Sequence, residues 1–249
     1  MKTVGNLLRA DTPYYTLTLP LSDKEIKYRP FRVKEEKILL MALEDGNDSS
    51  ILLGIKNLLN SCVEEESTDF DAGTLPVVDM EYLFINIRAK SVGEICTPTI
   101  TCPYTDEQTT VKIDLTKIKK PKTNSLKDAR IQLSDNVGVT MKLPTLNALI
   151  ENDIMNYSSA NPEEIISLIG SCIEDIWTDK EVYNSSELTK EDLSEFIESM
   201  TVANFDTVGD YFESIPALTH VVKYSVLNKD TKEKENHQLT LSGINDFFV

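Results

Sequence analysis

The chain has 249 residues, of which 41% are hydrophobic and 27% charged, so it can bury an apolar core without a disulfide framework. Its 41 acidic and 25 basic side chains give a net charge of -16, which disfavours contact with nucleic-acid phosphates or anionic lipid. Four scattered cysteines, an N-terminus without a signal-peptide pattern and the absence of long apolar runs predict a reducing cytoplasm and no membrane span.

The N-terminal third predicts a β-hairpin followed by three helices. Apolar residues alternate on both sides of "LSDKE", which indicates two paired strands, and Pro30 ends the second of them. Helices are predicted over about 33–44, with Gly46 as the cap, and over about 49–63, where apolar residues recur at helical spacing. The same spacing predicts a third helix over about 77–91.

The middle of the chain predicts β-structure. "EICTPTITCPYTDEQTTVKIDLTKI" contains two alternating runs around "PYTDEQ", which indicates a second hairpin. "RIQLSDNVGVTMKLP" indicates a third. The polar, basic segment "KKPKTNSLKD" between them predicts a linker.

Helices are predicted again from Thr145 onwards. Asn161 is expected to cap a helix that starts at Pro162 and continues to Ile173. "WTDKEVYNSSEL" then leads to a helix capped by Thr189, and "NFDTVGDYFESI" predicts a further short helix. "THVVKYSVL" and "HQLTLSG" predict a fourth hairpin at the end of the chain.

This order of elements predicts an α+β fold in which small β-hairpins alternate with amphipathic helix pairs. A soft boundary near "KKPKTNS" divides the chain into two predicted domains. Residues 1–120 would hold the N-terminal hairpin, its helices and the second hairpin, and residues 121–249 would hold the third hairpin, the helical part and the C-terminal hairpin. A single compact unit is the alternative.

Catalytic motifs are missing from the sequence. His220 and His237 lack the Ser, Cys or carboxylate pattern that a nucleophilic mechanism requires. The sequence has no Walker loop, GxGxxG, GxSxG or HExxH motif. The acidic run "CVEEESTDFD" does not provide the two distinct environments that an acid–base carboxylate pair needs. We therefore expect no enzyme activity and no cofactor, and a hydrolase with an acidic site is the least favoured hypothesis.

The cysteines raise the hypothesis of a zinc site. Cys96 and Cys102 lie six positions apart in the second hairpin, whereas zinc knuckles use Cys-x-x-Cys pairs. The residue that would complete such a pair after Cys102 is Thr105. The other two cysteines, Cys62 and Cys172, fall on apolar helical stripes. We therefore expect no bound metal.

The segment "YRPFRVKEEKILLMALEDG", residues 28–46, concentrates basic side chains in an acidic chain. Glu35 and Glu36 nearly cancel that charge and disfavour a phosphate-binding role. Two interpretations stay open: a strand-to-helix junction with a solvated face, or a patch that contacts another protein, because arginine and aromatic residues are favoured at interface centres. The second interpretation predicts four partner-contact residues: Tyr28, Arg29, Phe31 and Arg32.

The same segment carries a resemblance to a known family. The pattern "RPFxVKEEKxLLMA" after a β-hairpin, and "NIRAKSVGE" at residues 86–94 before a Cys-bearing hairpin, resemble the baseplate protein family of T4-type tailed phages. The resemblance covers residues 13–145 well and the last hundred residues more weakly. Length and the helical C-terminal part are most like the larger of its two hub assembly proteins, described as a hub assembly catalyst. Relatives carry a Cys-x-x-Cys knuckle after "SVGE", where this chain has Thr105 for the second thiol.

The resemblance implies a non-enzymatic role in the host cytoplasm of the infected cell. A protein of this kind acts as a chaperone or scaffold that helps to build the baseplate hub, and it is absent from the mature virion. The implied partners are the baseplate hub proteins, the tape-measure protein and a homologous hub assembly protein, with no nucleic acid and no membrane. A permanent structural subunit of the baseplate is the alternative, and the oligomeric state is left open.

Overall fold

The computed structural model describes residues 11–64, 70–123, 126–155, 161–227, 232 and 234–243. Within these ranges the chain forms seven α-helices and twelve β-strands. The helices are α1 (Val33–Asp45), α2 (Asp48–Cys62), α3 (Val77–Ser91), α4 (Leu146–Asn152), α5 (Pro162–Ser171), α6 (Lys190–Glu198) and α7 (Val202–Ser214). The strands are β1 (Tyr15–Thr18), β2 (Glu25–Tyr28), β3 (Ile95–Cys96), β4 (Thr99–Thr101), β5 (Gln108–Thr110), β6 (Ile113–Asp114), β7 (Arg130–Gln132), β8 (Val137–Met141), β9 (Ile173–Thr178), β10 (Val182–Asn184), β11 (Thr219–Leu227) and β12 (Lys234–Ser242).

The predicted α+β fold is confirmed, because small antiparallel sheets lie between groups of helices. The first hairpin is β1–β2, and the second hairpin contains two short ladders, β3–β6 and β4–β5. The last hairpin, β11–β12, pairs over nine residue positions on each strand. The gaps between the described ranges fall in the turn of that hairpin, in the predicted loops after α2 and α4, and in the linker. The N-terminal segment considered for a signal peptide also lies partly outside the described ranges.

Helix ends follow the capping chemistry that the sequence predicts. Gly46 adopts φ 65° just after α1, a left-handed conformation in which glycine has no steric penalty. Asn161 accepts a hydrogen bond from the Glu164 amide, and Thr189 accepts one from the Asp192 amide. Local side-chain and backbone chemistry therefore marks these helix boundaries.

The prediction was wrong at the end of α5, and it did not include the strands β9 and β10. The helical pattern was expected to run to Ile173, but α5 ends at Ser171 and Ile173 starts β9, which turns back into β10. These strands extend the third hairpin into a four-stranded sheet of order β10-β9-β8-β7. The physical reason is that β9 pairs with β8, so Ile173 and Ile176 are buried in the sheet, and this pairing overrides the continuing helical periodicity.

A close approach fixes the register of this sheet. Gly138 on β8 lies opposite Trp177 on β9, and an added Cβ at Gly138 would overlap the indole ring. Arg130 lies over the same ring, with its guanidinium carbon 4.4 Å from the ring centroid. Glycine is thus required at residue 138 because the tryptophan crosses the backbone there.

A buried carboxylate joins the first hairpin to α3. Asp79 is fully buried in the first turn of α3 and accepts hydrogen bonds from the amides of Leu21 at 2.7 Å and Ser22 at 2.9 Å. Those two residues belong to the segment between β1 and β2. The hydrogen bonds therefore hold the hairpin turn against the start of α3.

Contacts also connect the two halves of the chain. The Ser49 amide at the start of α2 donates to the Asp153 carboxylate after α4 at 2.9 Å. The Tyr224 hydroxyl on β11 donates to the Cys102 sulfur at 3.4 Å. The predicted division into residues 1–120 and 121–249 stays a prediction.

Candidate functional site

The junction between β2 and α1 holds the first candidate residues, and two of the four lie inside the molecule. Tyr28 is 3% exposed and Arg29 is 7% exposed. The Arg29 guanidinium donates to the Ser61 carbonyl at 2.6 Å and pairs with the Glu35 carboxylate at 3.1 Å. Ser61 lies in the last turn of α2, where free carbonyls favour a positive charge. Arg29 therefore ties β2, α1 and α2 together.

Glu35 is the acceptor at the centre of this network. Its carboxylate also receives the Arg32 amide at 2.7 Å and the Lys34 ammonium at 3.1 Å. Burial alone would raise the pKa of Glu35, but the hydrogen bonds from the Arg32 amide, Arg29 and Lys34 hold the pKa below its ordinary value. Nearby, burial raises the pKa of the Cys62 thiol to about 12, so this thiol is neutral at physiological pH.

The other two candidate residues are half-buried. Phe31 packs against the core, and its amide donates to the Ser91 hydroxyl at 2.9 Å. Arg32 precedes the first residue of α1 and reaches the Thr12 hydroxyl at 3.3 Å. The partner-contact role of the four residues stays a prediction, and the structure gives Tyr28 and Arg29 a role within the chain.

A larger feature lies at the other side of α3. An apolar groove with a volume of about 800 Å³ is formed mainly by residues of α3, α5 and α7, by the segments that connect helices and strands, and by the end of β12. Hydrophobic side chains dominate its lining, and Met155, Ile165 and Ile215 remain partly exposed along it. A groove of this size and character is typical of sites that bind apolar ligands or peptide segments.

Helix α7 contributes a recess to this groove. Phe205, Gly209 and Phe212 line the groove at helical spacing, so they share one face of the helix. Val208 and Tyr211, on an adjacent side of the helix, are buried in the core. An added Cβ at Gly209 would meet no atom within 4 Å, so the glycine leaves open space between the two phenylalanines.

The groove was missed in the sequence because its walls come from segments that are far apart in the chain. The sequence signal was the Phe-x₃-Gly-x₂-Phe spacing in α7, which places a glycine between two aromatic residues on one face. That spacing alone does not reveal whether the face is covered. The packing of α7 beside α5 and α3 decides it.

Comparison with known families identifies the chain. A family model described as "T4 bacteriophage base plate protein" matches residues 12–249. The chain belongs to this baseplate family. The match extends through the last hundred residues, where the sequence resemblance is weaker. No curated protein and no solved structure matches the chain significantly.

The Cys102 hairpin is where this baseplate protein departs from the Cys-x-x-Cys pattern. Cys102 is buried, and Thr105 occupies the position of the second thiol. Burial alone would raise the pKa of the Cys102 thiol, but the nearby Thr105 hydroxyl, the hydrogen bond from Tyr224 and nearby backbone amides lower it to about 7. In the part of the chain that the structure describes, no three His, Cys, Asp or Glu residues lie close enough together to hold a metal ion.

The two histidines of the baseplate protein both lie in the last hairpin. His220 is half-buried on β11, opposite Leu241. His237 lies on β12, 3.1 Å from the Glu235 carboxylate, and stacks on Tyr104 with 4.8 Å between ring centroids. His237 therefore joins the last hairpin to the segment that holds Tyr104. Among the described helices, none has the length and hydropathy needed to cross a membrane.

Proposed function

We propose that this protein is a non-enzymatic hub assembly factor of the phage tail baseplate, which binds an apolar helical segment of a partner in the groove beside α7. The partner in this proposal is the tape-measure protein or a hub protein, held until the hub closes around it. The apolar groove carries the proposal, and membership of the baseplate family supports it.

The chemistry of the groove suits a helix rather than an extended peptide. An amphipathic helix binds by placing an apolar face into a hydrophobic groove, with side chains at i, i+3, i+4 and i+7 as anchors. The recess over Gly209, with Phe205 and Phe212 on either side, would accept one such anchor. Glu213 lies at the exposed edge of the lining, and the chain carries a net charge of -16, so basic residues flanking the apolar face would be favoured.

Filling the recess is the direct test. Gly209→Trp would place a large ring where an added Cβ meets open space, so the variant should fold and lose partner binding. Gly209→Ala is the matched control, because a methyl group leaves most of the recess free. The measurement is co-purification of hub and tape-measure proteins from infected cells, with folding checked by circular dichroism and thermal melting. Normal hub assembly with a folded Gly209→Trp variant would overturn the proposal.

The salt dependence of the complex tests the balance of forces. Apolar contacts are insensitive to screening, whereas surface charges mainly tune the encounter rate. We expect the dissociation constant to rise less than about tenfold between about 0.1 M and 0.5 M salt. A greater rise in the dissociation constant would indicate that charged contacts dominate the binding.

The place of action separates this proposal from a permanent structural role. An assembly factor that acts in the host cytoplasm would be present in infected-cell extracts and absent from purified virions. A fixed stoichiometric amount in purified virions, measured by quantitative mass spectrometry, would favour the structural subunit instead. Loss of hub assembly on substituting a single acidic residue without loss of partner binding would favour the enzymatic hypothesis.

A further inference from the structure

Helix α1 has apolar side chains on both of its faces. It buries only Glu35, Leu39 and Ala42, where it packs on α2. Gly54 of α2 lies beneath this buried stripe and lets the two helices approach closely, because an added Cβ there would be 3.2 Å from the Ala42 Cβ. On the outer side, three large apolar residues are more than half exposed: Val33 at 79%, Leu40 at 54% and Met41 at 56%.

The outer side forms a regular stripe. Val33, Lys37, Leu40 and Glu44 follow one another at spacings of four, three and four residues, the spacing of a helix face that packs against another helix. Met41 lies beside Leu40, so the centre of the stripe is apolar. Lys37 is on one side of that centre and Glu44 is on the other, about two helical turns away along the axis.

Within the residues that the structure describes, the charges of this stripe have no counterparts. Across the described residues, Lys37 and Glu44 form no ion pair, and both are exposed. At the ends of the helix, Lys34 pairs with Glu35 of its own chain, Glu36 also lies in the first turn, and Asp45 adds a negative charge at the C-terminal end. The two charges of the stripe, Lys37 and Glu44, therefore sum to zero in a chain whose net charge is -16.

We propose that this stripe, formed by Val33, Lys37, Leu40, Met41 and Glu44, is a self-association surface that binds α1 of a second copy in an antiparallel, two-fold arrangement. With the axis between Leu40 and Met41, each Leu40 faces Met41 of the second copy. Each Lys37 then faces Glu44 of the second copy. The contact has an apolar centre and two charged pairs at its edges, the usual anatomy of a protein interface.

The charge pattern is what selects a second copy as the occupant. In an antiparallel pair, Lys37 of one copy meets Glu44 of the other, so each charge of the stripe finds an opposite one. A parallel pair would place like charges side by side. Because the rest of the chain is strongly acidic and repels another copy, this neutral face with its apolar centre is a favourable place for two copies to meet.

The dimer should be weak and concentration-dependent. A 13-residue helix is about 20 Å long at 1.5 Å per residue, so the contact is small. Stable interfaces bury about 1,200–2,000 Å² in total, and smaller contacts belong to the transient class. This inference is independent of the groove beside α7, because it concerns a different helix and a different partner.

The first experiment measures the association state of the full chain by sedimentation equilibrium from about 1 to 500 μM, a range suited to a transient contact. We expect the dimer to dissociate at least about tenfold more readily in Leu40→Asp, because an unpaired carboxylate would be placed at the apolar centre. Val202→Asp is the control, because Val202 is a strongly exposed apolar residue in the first turn of a different helix, α7. This variant should leave the association unchanged.

The second experiment tests the antiparallel register. Lys37→Glu and Glu44→Lys each place like charges opposite one another in a homodimer, so each variant alone should be monomeric over the same range. An equimolar mixture of the two should dimerise, because the glutamate introduced in one variant faces the lysine introduced in the other, and the remaining pair is native. Isotope-resolved native mass spectrometry distinguishes this heterodimer from either homodimer.

Three outcomes would overturn the proposal. The wild-type chain could stay monomeric at every concentration. The dimer could persist in Leu40→Asp, which would place the interface elsewhere. The charge-swap mixture could fail to associate while the wild type dimerises. In the first of these cases, impaired hub assembly by Leu40→Asp would assign the stripe to a different protein.

Discussion

The junction at residues 28–35 and the groove beside α7 show opposite uses of polar and apolar residues. At the junction, Arg29 and Glu35 are buried, while the following helix leaves Leu40 and Met41 exposed. At the groove, apolar side chains surround open space, and charged side chains lie at its edge. Charge at the junction holds elements of this chain together, whereas apolar surface at the groove is available to another chain. The number of charges in a segment therefore does not indicate whether that segment meets a partner.

The strongest test of this comparison is to remove the buried cation, Arg29. Arg29→Ala should lower the free energy of unfolding by about 3–5 kcal/mol, because it removes the buried cation that pairs with the Glu35 carboxylate and donates to the Ser61 carbonyl. Urea denaturation measures the change. Arg32→Ala is the matched control, and because Arg32 is half-buried its loss should cost less than about 1 kcal/mol. Equal effects of the two substitutions would contradict an internal role for Arg29.

A second buried charge lies next to the groove and extends the comparison. Asp79→Ala should lower the free energy of unfolding by about 2–3 kcal/mol, because the amides of Leu21 and Ser22 lose their acceptor. Asp210→Ala serves as the control, since Asp210 makes an exposed pair with Lys127 and should contribute less than about 1 kcal/mol. A small effect of Asp79→Ala, measured by urea denaturation, would mean that the hairpin turn does not depend on this carboxylate.

Acid should weaken the junction before it affects the groove. The pKa of Glu35 is held below its ordinary value of 4.5, so its contribution to stability is fully present above that value. The contribution is lost as pH falls through the lowered pKa, because the unfolded chain takes up this proton at a higher pH than the folded chain does. In thermal melts between about pH 6 and 3, Glu35→Gln should show a shallower loss of stability than the wild type. If the stability of Glu35→Gln and of the wild type fell equally with pH, this role of Glu35 would be contradicted.

The smallest expected effect comes from the groove itself. Gly209→Ala should raise the free energy of unfolding by about 0.5–1 kcal/mol, because alanine is the better helix former and its methyl group meets no neighbour. Chemical denaturation measures this increase in the free energy of unfolding. An increase without a change in partner binding would indicate an open groove rather than a packed core. A destabilising effect would show that the recess is filled in solution.

Local chemistry was enough to predict most of the elements. Gly46, Asn161 and Thr189 mark helix ends, and the apolar periodicity around them predicted α1, α5 and α6 within a few residues, apart from the end of α5. Alternating residues predicted the hairpins, including β11 and β12. These signals act over a few neighbouring residues, so they can be read without knowledge of the fold. The "RPFxVKEEKxLLMA" pattern likewise carried the family assignment that the family model supports.

Tertiary structure alone decided which of these residues face inward. Whether Arg29 is a contact residue or a buried pair depends on the distance to Glu35 and to the end of α2, and no local pattern contains that distance. The strand β9 exists because β8 offers it a partner, although the local sequence continues a helical period. The groove depends on helices that are separate in the chain, since burial is a property of the packed molecule. The sequence by itself determined which segments form helices and strands, and packing decided which of their faces remain open.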